Sequence, residues 1–289
     1  VTGGANGVGF AYAKEFVKRG HRVMICDVKD PLEAVAALQA SAPGALVFGK
    51  QCDVSDAASV RNLAQEAKAK LGTVNYWVNN AAINGGRRPF LDVPDDTVEA
   101  VVRVNLFGAL ICTKVAIELM LDQKGAVGHV FNTVGSGVRG GGTPGYVCYG
   151  ATKRGLPQMT DSLVAELAGK TQGYTWPPKT ARGTVNVHTL SPGMVFTDLL
   201  LQDSTAELRK FPFSVLAATP EEVAADLVPK ILAVQGTGSF VEYLTTPRTL
   251  VKFFNRFVRR DESDVIDSDG NVIQRDDVKY NENGVRMLY

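Results

Sequence analysis

Short apolar runs alternate with longer amphipathic segments along much of this chain, and this alternation limits the folds open to it. The runs are nearly continuously apolar, which is typical of strands buried on both faces of a parallel sheet. The segments between them have helical periodicity. The predicted strands are 23–26, 46–48, 76–78, 127–132 and 185–190, and the predicted helices are 8–19, 31–39, 57–70, 95–121 and 150–168. We therefore expect an α/β protein with a doubly wound parallel sheet and helices on both faces.

Composition narrows the class of protein. The chain has 289 residues, 45% of them hydrophobic, which is enough for a single domain with one large core. Its formal net charge of +1 gives no bulk field, so we expect no nucleic-acid partner. No apolar run approaches the ~18 residues of a membrane span, and no targeting segment is visible. Because the chain begins with Val1 rather than Met, we expect its true N-terminus to be missing.

The cysteines and histidines are widely spaced. We interpret the cysteines, each in an apolar stretch, as buried free thiols in a reducing compartment. His21, His129 and His188 are isolated in the sequence, so no metal site is expected. The cysteines are Cys26, Cys52, Cys112 and Cys148.

A glycine-rich loop, Thr2–Gly9, opens the first helix. Such glycines allow a tight turn and close approach to a pyrophosphate, which the helix N-terminus stabilises. Asp27 ends the next strand, where a carboxylate can accept hydrogen bonds from a ribose diol. Asp53 ends the following strand and could reach an adenine, although either acid could instead cap a helix. Only Val1 remains of the strand that should precede the loop, so we expect the first strand to be truncated.

Tyr149 and Lys153 are spaced i, i+4, which places both side chains on one face of a helix. An ammonium beside a phenol favours the phenolate, so the spacing predicts a lowered pKa for Tyr149 and a usable proton donor. Taken alone, such a pair is usually a solvated contact.

Together these motifs resemble the short-chain dehydrogenase/reductase family. The ordered set is Thr2–Gly9, Asn79–Ala82, Asn105, Ser136, Tyr149–Lys153 and Pro192–Gly193. The family's usual Asn-Asn-Ala-Gly reads Asn-Asn-Ala-Ala here. The resemblance covers residues 1–245, leaving 246–289 as a C-terminal extension. It implies a Rossmann fold and an NAD(P)-dependent oxidoreductase that reduces a carbonyl.

The resemblance also implies roles for single residues. Tyr149 would donate the proton, Lys153 would bind the nicotinamide ribose, and Ser136 would hydrogen-bond the carbonyl oxygen. Asn105 would hold a water that relays protons from Lys153. Alternatively, Ser136 is only a loop hydroxyl, and Asn105 bonds its own helix backbone. The implied cofactor contacts are Gly3, Asn6, Gly7, Val8, Gly9, Asp27, Asp53, Val54, Asn80, Ala81, Ala82, Tyr149, Lys153, Pro192, Gly193, Val195 and Thr197.

The choice of cofactor depends on Asp27. An acid at this position repels a 2′-phosphate, which favours NAD(H). Asn6 stands where NADP-preferring relatives often have a basic residue. NADP(H) remains the alternative, because Lys29 is nearby.

A closer resemblance, to the chlorophyll b reductases of the Non-Yellow Coloring type, is carried by the stretches His129–Asn132, Tyr149–Arg154, Leu190–Leu200 and Tyr243–Arg248. It implies reduction of the C7 formyl group of chlorophyll b or chlorophyllide b in the chloroplast, at the thylakoid. It also favours NADP(H), because pigment reductases are regarded as NADPH enzymes. The resemblance to the short-chain family implies a homodimer or homotetramer built on helices 95–121 and 150–168. The alternatives are a reductase or dehydrogenase for another lipophilic carbonyl or alcohol, such as a steroid, retinoid or quinone, and a non-catalytic nucleotide-binding scaffold.

Two segments remain open to more than one interpretation. Residues 195–218, with Leu199–Leu201, Phe211 and Phe213, could form an apolar lid over a tetrapyrrole or simply pack in the core. Residues 250–260 mix aromatic and basic side chains, which suits a peripheral membrane or antenna-complex contact, a dimer contact or a final core helix.

Two further stretches are expected to lack long elements of regular structure. Residues 171–183 are predicted to form a surface loop. Asp269-Gly270 predicts a hairpin turn in the charged tail, in preference to a calcium loop.

Overall fold

The computed structural model describes residues 1–123, 125–135, 137–138, 140–170, 173, 176 and 184–273. Most of the predicted 171–183 loop, and the tail beyond Ile273, lie outside the described residues.

All of the ladders in the sheet are parallel. The strands are β1 Val23–Asp27, β2 Val47–Gln51, β3 Tyr76–Asn79, β4 Gly128–Thr133, β5 Val185–Ser191 and β6 Phe240–Glu242. β1 pairs with β2, and the order of the remaining strands is β3-β4-β5-β6. The five predicted strands are confirmed to within a few residues, whereas the sequence patterns do not predict the short β6.

Val1 and Thr2 join the two halves of the sheet. The backbone N–H of Cys26 donates to the Val1 carbonyl (3.1 Å), and the N–H of Thr2 donates to the Val78 carbonyl (3.0 Å). These two residues therefore lie between β1 and β3, the position expected for the strand that precedes the glycine-rich loop. A cavity of about 370 Å³ continues along the same line between the two strands.

Helices cover both faces of the sheet. They are α1 Gly7–Lys18, α2 Leu32–Ser41, α3 Ala57–Leu71, α4 Asp95–Val102, α5 Ala109–Leu121, α6 Val147–Leu167, α7 Asp198–Leu201, α8 Ala206–Leu208, α9 Ser214–Leu216, α10 Pro220–Ala233 and α11 Thr246–Phe254. A π-helical stretch, Arg103–Gly108, joins α4 and α5 into one helix, and another, Asn255–Arg259, extends α11. The five predicted helices are confirmed. The patterns do not predict α10, although Thr219 and Glu222 form a capping box at its start.

Two apolar cores lie on opposite faces of the sheet. On one face, Ile25 of β1 packs with side chains of α1 and α10, including Tyr12 and Leu227. On the other face, Met24 packs with side chains of α3 and α5, including Met120. Neighbouring residues of one strand thus enter different cores, as the pleat of a strand requires. This arrangement confirms the doubly wound fold as a single domain.

The continuous helix Asp95–Leu121 differs from the sequence expectation. Within the described residues, it is the one helix that is long and apolar enough to cross a membrane, and half of its most apolar window is buried. Its buried residues include Val115 and Met120 of the second core. Packing in the core accounts for this composition.

The burial of the cysteines and the spacing of the histidines differ in part from the sequence prediction. All four cysteines are free thiols; Cys26, Cys52 and Cys112 are buried, but Cys148 is only half-buried on α6. The histidines are not all isolated in space, because β4 and β5 bring His129 Nδ1 to 3.0 Å from His188 Nε2. Among the described residues, no group of three metal-ligating side chains forms.

We predict that Tyr12→Phe stabilises the fold. The Tyr12 hydroxyl is fully buried and has no hydrogen-bond partner among the described residues. An unsatisfied buried hydroxyl costs on the order of 1–3 kcal/mol, so its removal should raise the free energy of unfolding by about 1 kcal/mol in urea titrations. The same change at the half-buried Tyr76 should have a smaller effect. A loss of stability in Tyr12→Phe would instead indicate a buried water bound to the hydroxyl.

Candidate active site

The glycine-rich loop packs so closely that side chains are excluded at two positions. Gly3 has φ +60°, and a Cβ there would lie 2.9 Å from the Cα of Ala81. A Cβ on Gly9 would lie 2.1 Å from the Gly3 carbonyl oxygen. The loop leads into α1 at Gly7, whose N–H donates to Asn6 Oδ1 (2.8 Å). Val8 follows in the first turn, where free N–H groups and the helix dipole favour a phosphate group. The predicted dinucleotide loop therefore fits a pyrophosphate.

Thr2 and Asn80 fix this loop against the residues that follow β3. The Thr2 hydroxyl accepts hydrogen bonds from the N–H groups of Asn80 (3.0 Å) and Ala81 (3.1 Å). In return, Asn80 Nδ2 donates to the carbonyls of Thr2 and Gly3 (3.1 and 3.2 Å). The Asn80 side chain thus positions the loop, and Ala82 follows half-buried beside it.

The two candidate acids have different environments. Asp27, at the end of β1, accepts a hydrogen bond from the N–H of Ala5 in the loop (3.3 Å, to Oδ2), so its carboxylate lies beside the nucleotide loop as expected. Asp53 is exposed and accepts hydrogen bonds from the N–H and hydroxyl of Ser55 (2.8 and 2.7 Å), as in a turn. The cap of α3 is Asp56. Val54 is buried, and a Cβ on Gly108 would lie 3.0 Å from its carbonyl oxygen.

Tyr149 and Lys153 are brought together on α6 at the carboxyl edge of the sheet. Lys153 Nζ lies 5.8 Å from the centre of the Tyr149 ring and donates to the Thr133 carbonyl at the end of β4 (2.9 Å). Gly135 lies against the phenol, since a Cβ there would be 3.4 Å from the Tyr149 hydroxyl oxygen. Ser136 lies outside the described residues.

The expected lowering of the Tyr149 pKa is wrong for the protein without a bound ligand. Burial raises the pKa of Tyr149 to about 12, with a further contribution from the charge of Tyr146. Burial also lowers the pKa of Lys153 to about 8. Desolvation of the charged forms therefore outweighs the attraction between ammonium and phenolate. The phenol is protonated at neutral pH, the state that a proton donor requires.

Asn105 has a different set of partners from those expected. It is buried in the π-helical stretch, where its Oδ1 accepts from the Ile83 N–H (2.9 Å) and its Nδ2 donates to the Ile83 carbonyl (2.8 Å). Nδ2 also lies 3.3 Å from the hydroxyl of Thr152. The hypothesis that it bonds its own helix backbone is thus wrong, because both amide atoms bind the segment after β3.

A small cavity of about 10 Å³ lies under this site. Its lining includes Asn105, Lys153 and Thr133, whose hydroxyl has no partner among the described residues. That volume is close to the smallest that holds one water. The predicted water relay stays a prediction, but it has a polar cavity of the right size.

The segment after β5 closes over the nucleotide loop. Pro192 is followed by Gly193, which has φ +75°. Val195 bridges to Ala218, and the Thr197 side chain lies 3.3 Å from the place of a Cβ on Gly7. The stretch therefore packs beside the start of α1, and its role in cofactor binding stays a prediction.

The predicted lid, residues 195–218, is partly packed in the core and partly exposed. Leu201 and Phe213 are buried in a third apolar cluster, together with Val265 and Ile266 of the C-terminal hairpin. Leu199 and Phe211 are exposed (37% and 52%). Part of the apolar surface therefore packs, and part remains open to a ligand.

The described part of the C-terminal extension, residues 246–273, contains an exposed helix and a hairpin. The hairpin is confirmed, because Ile266 and Val272 form an antiparallel bridge and Asp267 accepts from the N–H groups of Asp269 and Asn271. These hydrogen bonds stabilise the turn, which was predicted here in preference to a calcium loop. The interpretation of α11 as a final core helix is wrong, because none of its residues is buried.

Sequence reasoning missed several contacts that assemble the site. Thr2 holds the nucleotide loop, and the Thr133 carbonyl holds Lys153. Each of these threonines lies where a strand of the sheet meets the site. Asn84 donates to the Leu199 carbonyl (2.7 Å), and Asn6 donates to Asp198 (3.4 Å), so two loops contact the lid. These contacts join residues far apart in sequence, and no local pattern signals them.

Together, the fold, the nucleotide loop and the Tyr149–Lys153 pair define a dinucleotide-dependent oxidoreductase. A sequence profile for the short chain dehydrogenases matches residues 1–208, and the chain belongs to that family of NAD(P)-dependent enzymes. Over 89% of its length it is 37% identical to the chlorophyll(ide) b reductase NOL of Arabidopsis thaliana, covering 72% of that protein. Over 90% of its length it is 36% identical to the probable chlorophyll(ide) b reductase NYC1 of Oryza sativa subsp. japonica. The family profile and these two relatives confirm both resemblances drawn from the motifs. Both relatives are chloroplastic proteins.

The chain spans about half the length (52%) of the rice relative. Among solved structures, levodione reductase has the same fold, with a TM-score of 0.69 at 24% identity over 83% of this chain and 93% of that one. The 3-ketoacyl-(acyl-carrier-protein) reductase of Brucella melitensis, complexed with NADH, gives a TM-score of 0.67 at 25% identity over 83% and 94%. The family match and this likeness agree with the nicotinamide cofactor that the nucleotide loop predicts.

We predict that Gly9→Ala weakens cofactor binding. The added Cβ would overlap the Gly3 carbonyl at 2.1 Å, so the loop must move away from its position over α1. Gly150→Ala is the matched control, because nothing lies within 4 Å of a Cβ there. Isothermal titration with NADH and NADPH should show at least roughly tenfold weaker binding for Gly9→Ala alone. Equal affinity in the two variants would contradict the predicted packing of the loop.

We also predict that Asn105→Ala destabilises the protein. The change leaves the N–H and carbonyl of Ile83 without their side-chain partners, and each unsatisfied group costs on the order of 1–3 kcal/mol. Urea unfolding should show a loss of about 2 kcal/mol, because water reaches this half-buried segment in part. Unchanged stability with reduced activity would show that Asn105 acts in proton transfer alone.

Proposed function

We propose that the protein is an NAD(H)-dependent carbonyl reductase acting on the C7 formyl group of chlorophyll b or chlorophyllide b. The observation that carries the proposal is the half-buried, protonated phenol of Tyr149, held beside the buried Lys153 at the edge of the sheet where the nucleotide loop lies. The identity to chlorophyll(ide) b reductases along about nine tenths of the chain supports the choice of substrate.

The residues suit carbonyl reduction in a simple division of roles. The bound nicotinamide supplies the hydride. Tyr149 would donate its proton to the developing alkoxide, and the ammonium of Lys153 would stabilise negative charge at the phenol oxygen. The Thr133 carbonyl and the packing of α6 hold Lys153 in place for this role. Ser136, by resemblance, would hydrogen-bond the carbonyl oxygen.

Asp27 supports the choice of NAD(H) over NADP(H). Its carboxylate, beside the loop, would accept hydrogen bonds from the ribose diol and repel a 2′-phosphate. Asn6 adds no positive charge, although Lys29 lies two residues beyond Asp27. Comparing kcat/KM for the two reduced cofactors tests this choice. A large preference for NADPH with Asp27 intact would overturn it.

The wider setting is also part of the proposal. The two chloroplastic relatives support a chloroplast location. A place at the thylakoid, with a peripheral membrane or antenna-complex contact, is our proposal. Exposed apolar side chains on the long helices, including Phe107, Leu110 and Val147, support a homodimer or homotetramer built there. The exposed part of the lid suits a lipophilic substrate, and a steroid, retinoid or quinone would meet the same surface.

We predict that Tyr149→Phe lowers kcat by about 10²–10⁴, because it removes the proton donor without changing the ring. The assay is incubation with chlorophyll b or chlorophyllide b and each reduced cofactor, followed by absorbance. Tyr146→Phe is the matched control, since its ring lies 6.5 Å from that of Tyr149. Activity of Tyr149→Phe equal to the wild type would refute the mechanism. Absence of a spectral change with either pigment would refute the substrate.

The pH dependence should follow Lys153. Its pKa is lowered to about 8, so its charge is present below that pH and lost above it, while Tyr149 stays protonated to about 12. We expect kcat/KM for carbonyl reduction to be level up to about pH 8 and then to fall. Lys153→Met should remove this fall together with most of the activity. A profile that stays flat through about pH 10 would show that the charge is not needed.

A further inference from the structure

The last helix, α11 with its extension Asn255–Arg259, turns its apolar side to the outside and its polar side to the protein. An ordinary surface helix has the opposite orientation. The outward side of this last helix is apolar: five large side chains at helical spacing are each 54–65% exposed. None of the residues from Thr246 to Arg259 is buried. We call this set the outer stripe; it consists of Leu250, Val251, Phe254, Phe257 and Val258.

Polar contacts on the opposite side hold the helix to the domain. Arg248 forms an ion pair with Asp226 (2.6 Å), and Lys252 Nζ donates to the Ala217 carbonyl (3.3 Å). Burial lowers the pKa of Lys252, as expected for an ammonium that faces the protein. Because Arg248 and Lys252 bind the domain on one side of the helix, the outer stripe on the other side faces away from the protein.

The outer stripe is continuous with the lid. Phe211 of the lid lies 6.3 Å from Phe253 and 6.4 Å from Phe257, measured between ring centres, and the rings of Phe253 and Phe257 stack at 5.9 Å. Phe211 is itself half exposed. One apolar surface thus runs from the lid onto the last helix.

We propose that the outer stripe docks on an anionic lipid bilayer, with Phe211 and the lid at the edge of the contact. Aliphatic and aromatic side chains on one side of a helix, with arginines beside them, are the pattern of an interfacial helix. Arg259 and Arg260, both exposed at the end of the helix, would complement lipid phosphates, because their long stems can reach from the apolar layer to the headgroups. Arg256 is only half-exposed and donates to the Asp261 carbonyl. The acidic Asp261 and Glu262 follow directly and offset part of the positive charge of the arginines. We therefore expect insertion of the apolar side chains to provide most of the binding, and the negative charge of the lipid to add to it.

The consequence for catalysis rests on the proposed function. A lipophilic pigment would reach the lid from the bilayer without crossing water. The docking itself is independent of the substrate, and it can be measured with lipid alone.

The test is vesicle flotation of the full chain. The probes are vesicles of phosphatidylcholine mixed with phosphatidylglycerol, and vesicles of phosphatidylcholine alone. We expect the wild type to float with both and more fully with the anionic mixture. The triple variant Leu250→Gln, Phe254→Gln, Val258→Gln should partition at least about tenfold less, because three inserted side chains lose their apolar burial.

A matched control carries three equally exposed apolar changes elsewhere: Leu32→Gln, Leu46→Gln and Val127→Gln. It should float like the wild type. All three proteins should consume reduced cofactor equally with a water-soluble aldehyde, which shows that the fold and site are intact. If chlorophyll b is not reduced but flotation behaves as expected, the proposed function fails and the docking stands.

Two results would overturn the docking proposal. One is a wild type that does not float, or a triple variant that floats equally well. The other is a triple variant whose mass by light scattering, without lipid, falls to that of a monomer while the control remains a dimer. In that case the outer stripe is an interface with a second copy of this chain.

Discussion

The site depends on the short segment that follows β3, because hydrogen bonds from both sides converge on it. On one side, the hydroxyl of Thr2 accepts from the backbone of Asn80 and Ala81, which fixes the nucleotide loop. On the other side, the side chain of Asn105 holds both polar backbone groups of Ile83. A polar side chain that satisfies partly buried backbone groups offsets part of their desolvation cost, which favours this geometry. Because Asn105 also contacts Thr152 of α6, the segment ties the nucleotide loop to the helix that carries Tyr149 and Lys153.

Burial gives that pair its protonation states. Lys153 is surrounded by protein and donates to a carbonyl of β4, and Tyr149 lies against Gly135. In such surroundings the neutral form of each group is favoured, so the phenol keeps its proton and the ammonium titrates near neutrality. A site of this kind suits proton donation to a carbonyl, and a bound nicotinamide would meet a donor that is already protonated.

The C-terminal extension is part of the same functional surface. Its hairpin packs under the lid through Val265 and Ile266, and α11 packs beside the lid through Phe253. The lid therefore has apolar support from a segment outside the family profile, which ends at residue 208. This support leaves Phe211 and the outer stripe exposed together, and the membrane proposal rests on that combination.

Much of the fold was predictable, because it follows from local patterns. The alternation of apolar runs and helical segments indicated the parallel sheet, since strands such as Val185–Ser191 are buried throughout and need cover on both faces. Glycine spacing indicated the nucleotide loop, and the i, i+4 spacing placed Tyr149 and Lys153 on one helix face. The short β6 and the proline-containing α10 were missed, because three residues carry little periodicity and proline obscures a helical pattern.

The chain by itself determined which residue types stand at the carboxyl edge of the sheet and in what order. Only the tertiary structure decided their partners and charge states. Asn105 binds Ile83 rather than its own helix, and the Tyr149 pKa rises rather than falls, because desolvation depends on everything packed around a group. Likewise, the aromatic and basic residues of α11 fix an amphipathic helix, but the packing of Arg248 and Lys252 against the domain decides that its apolar side faces outward.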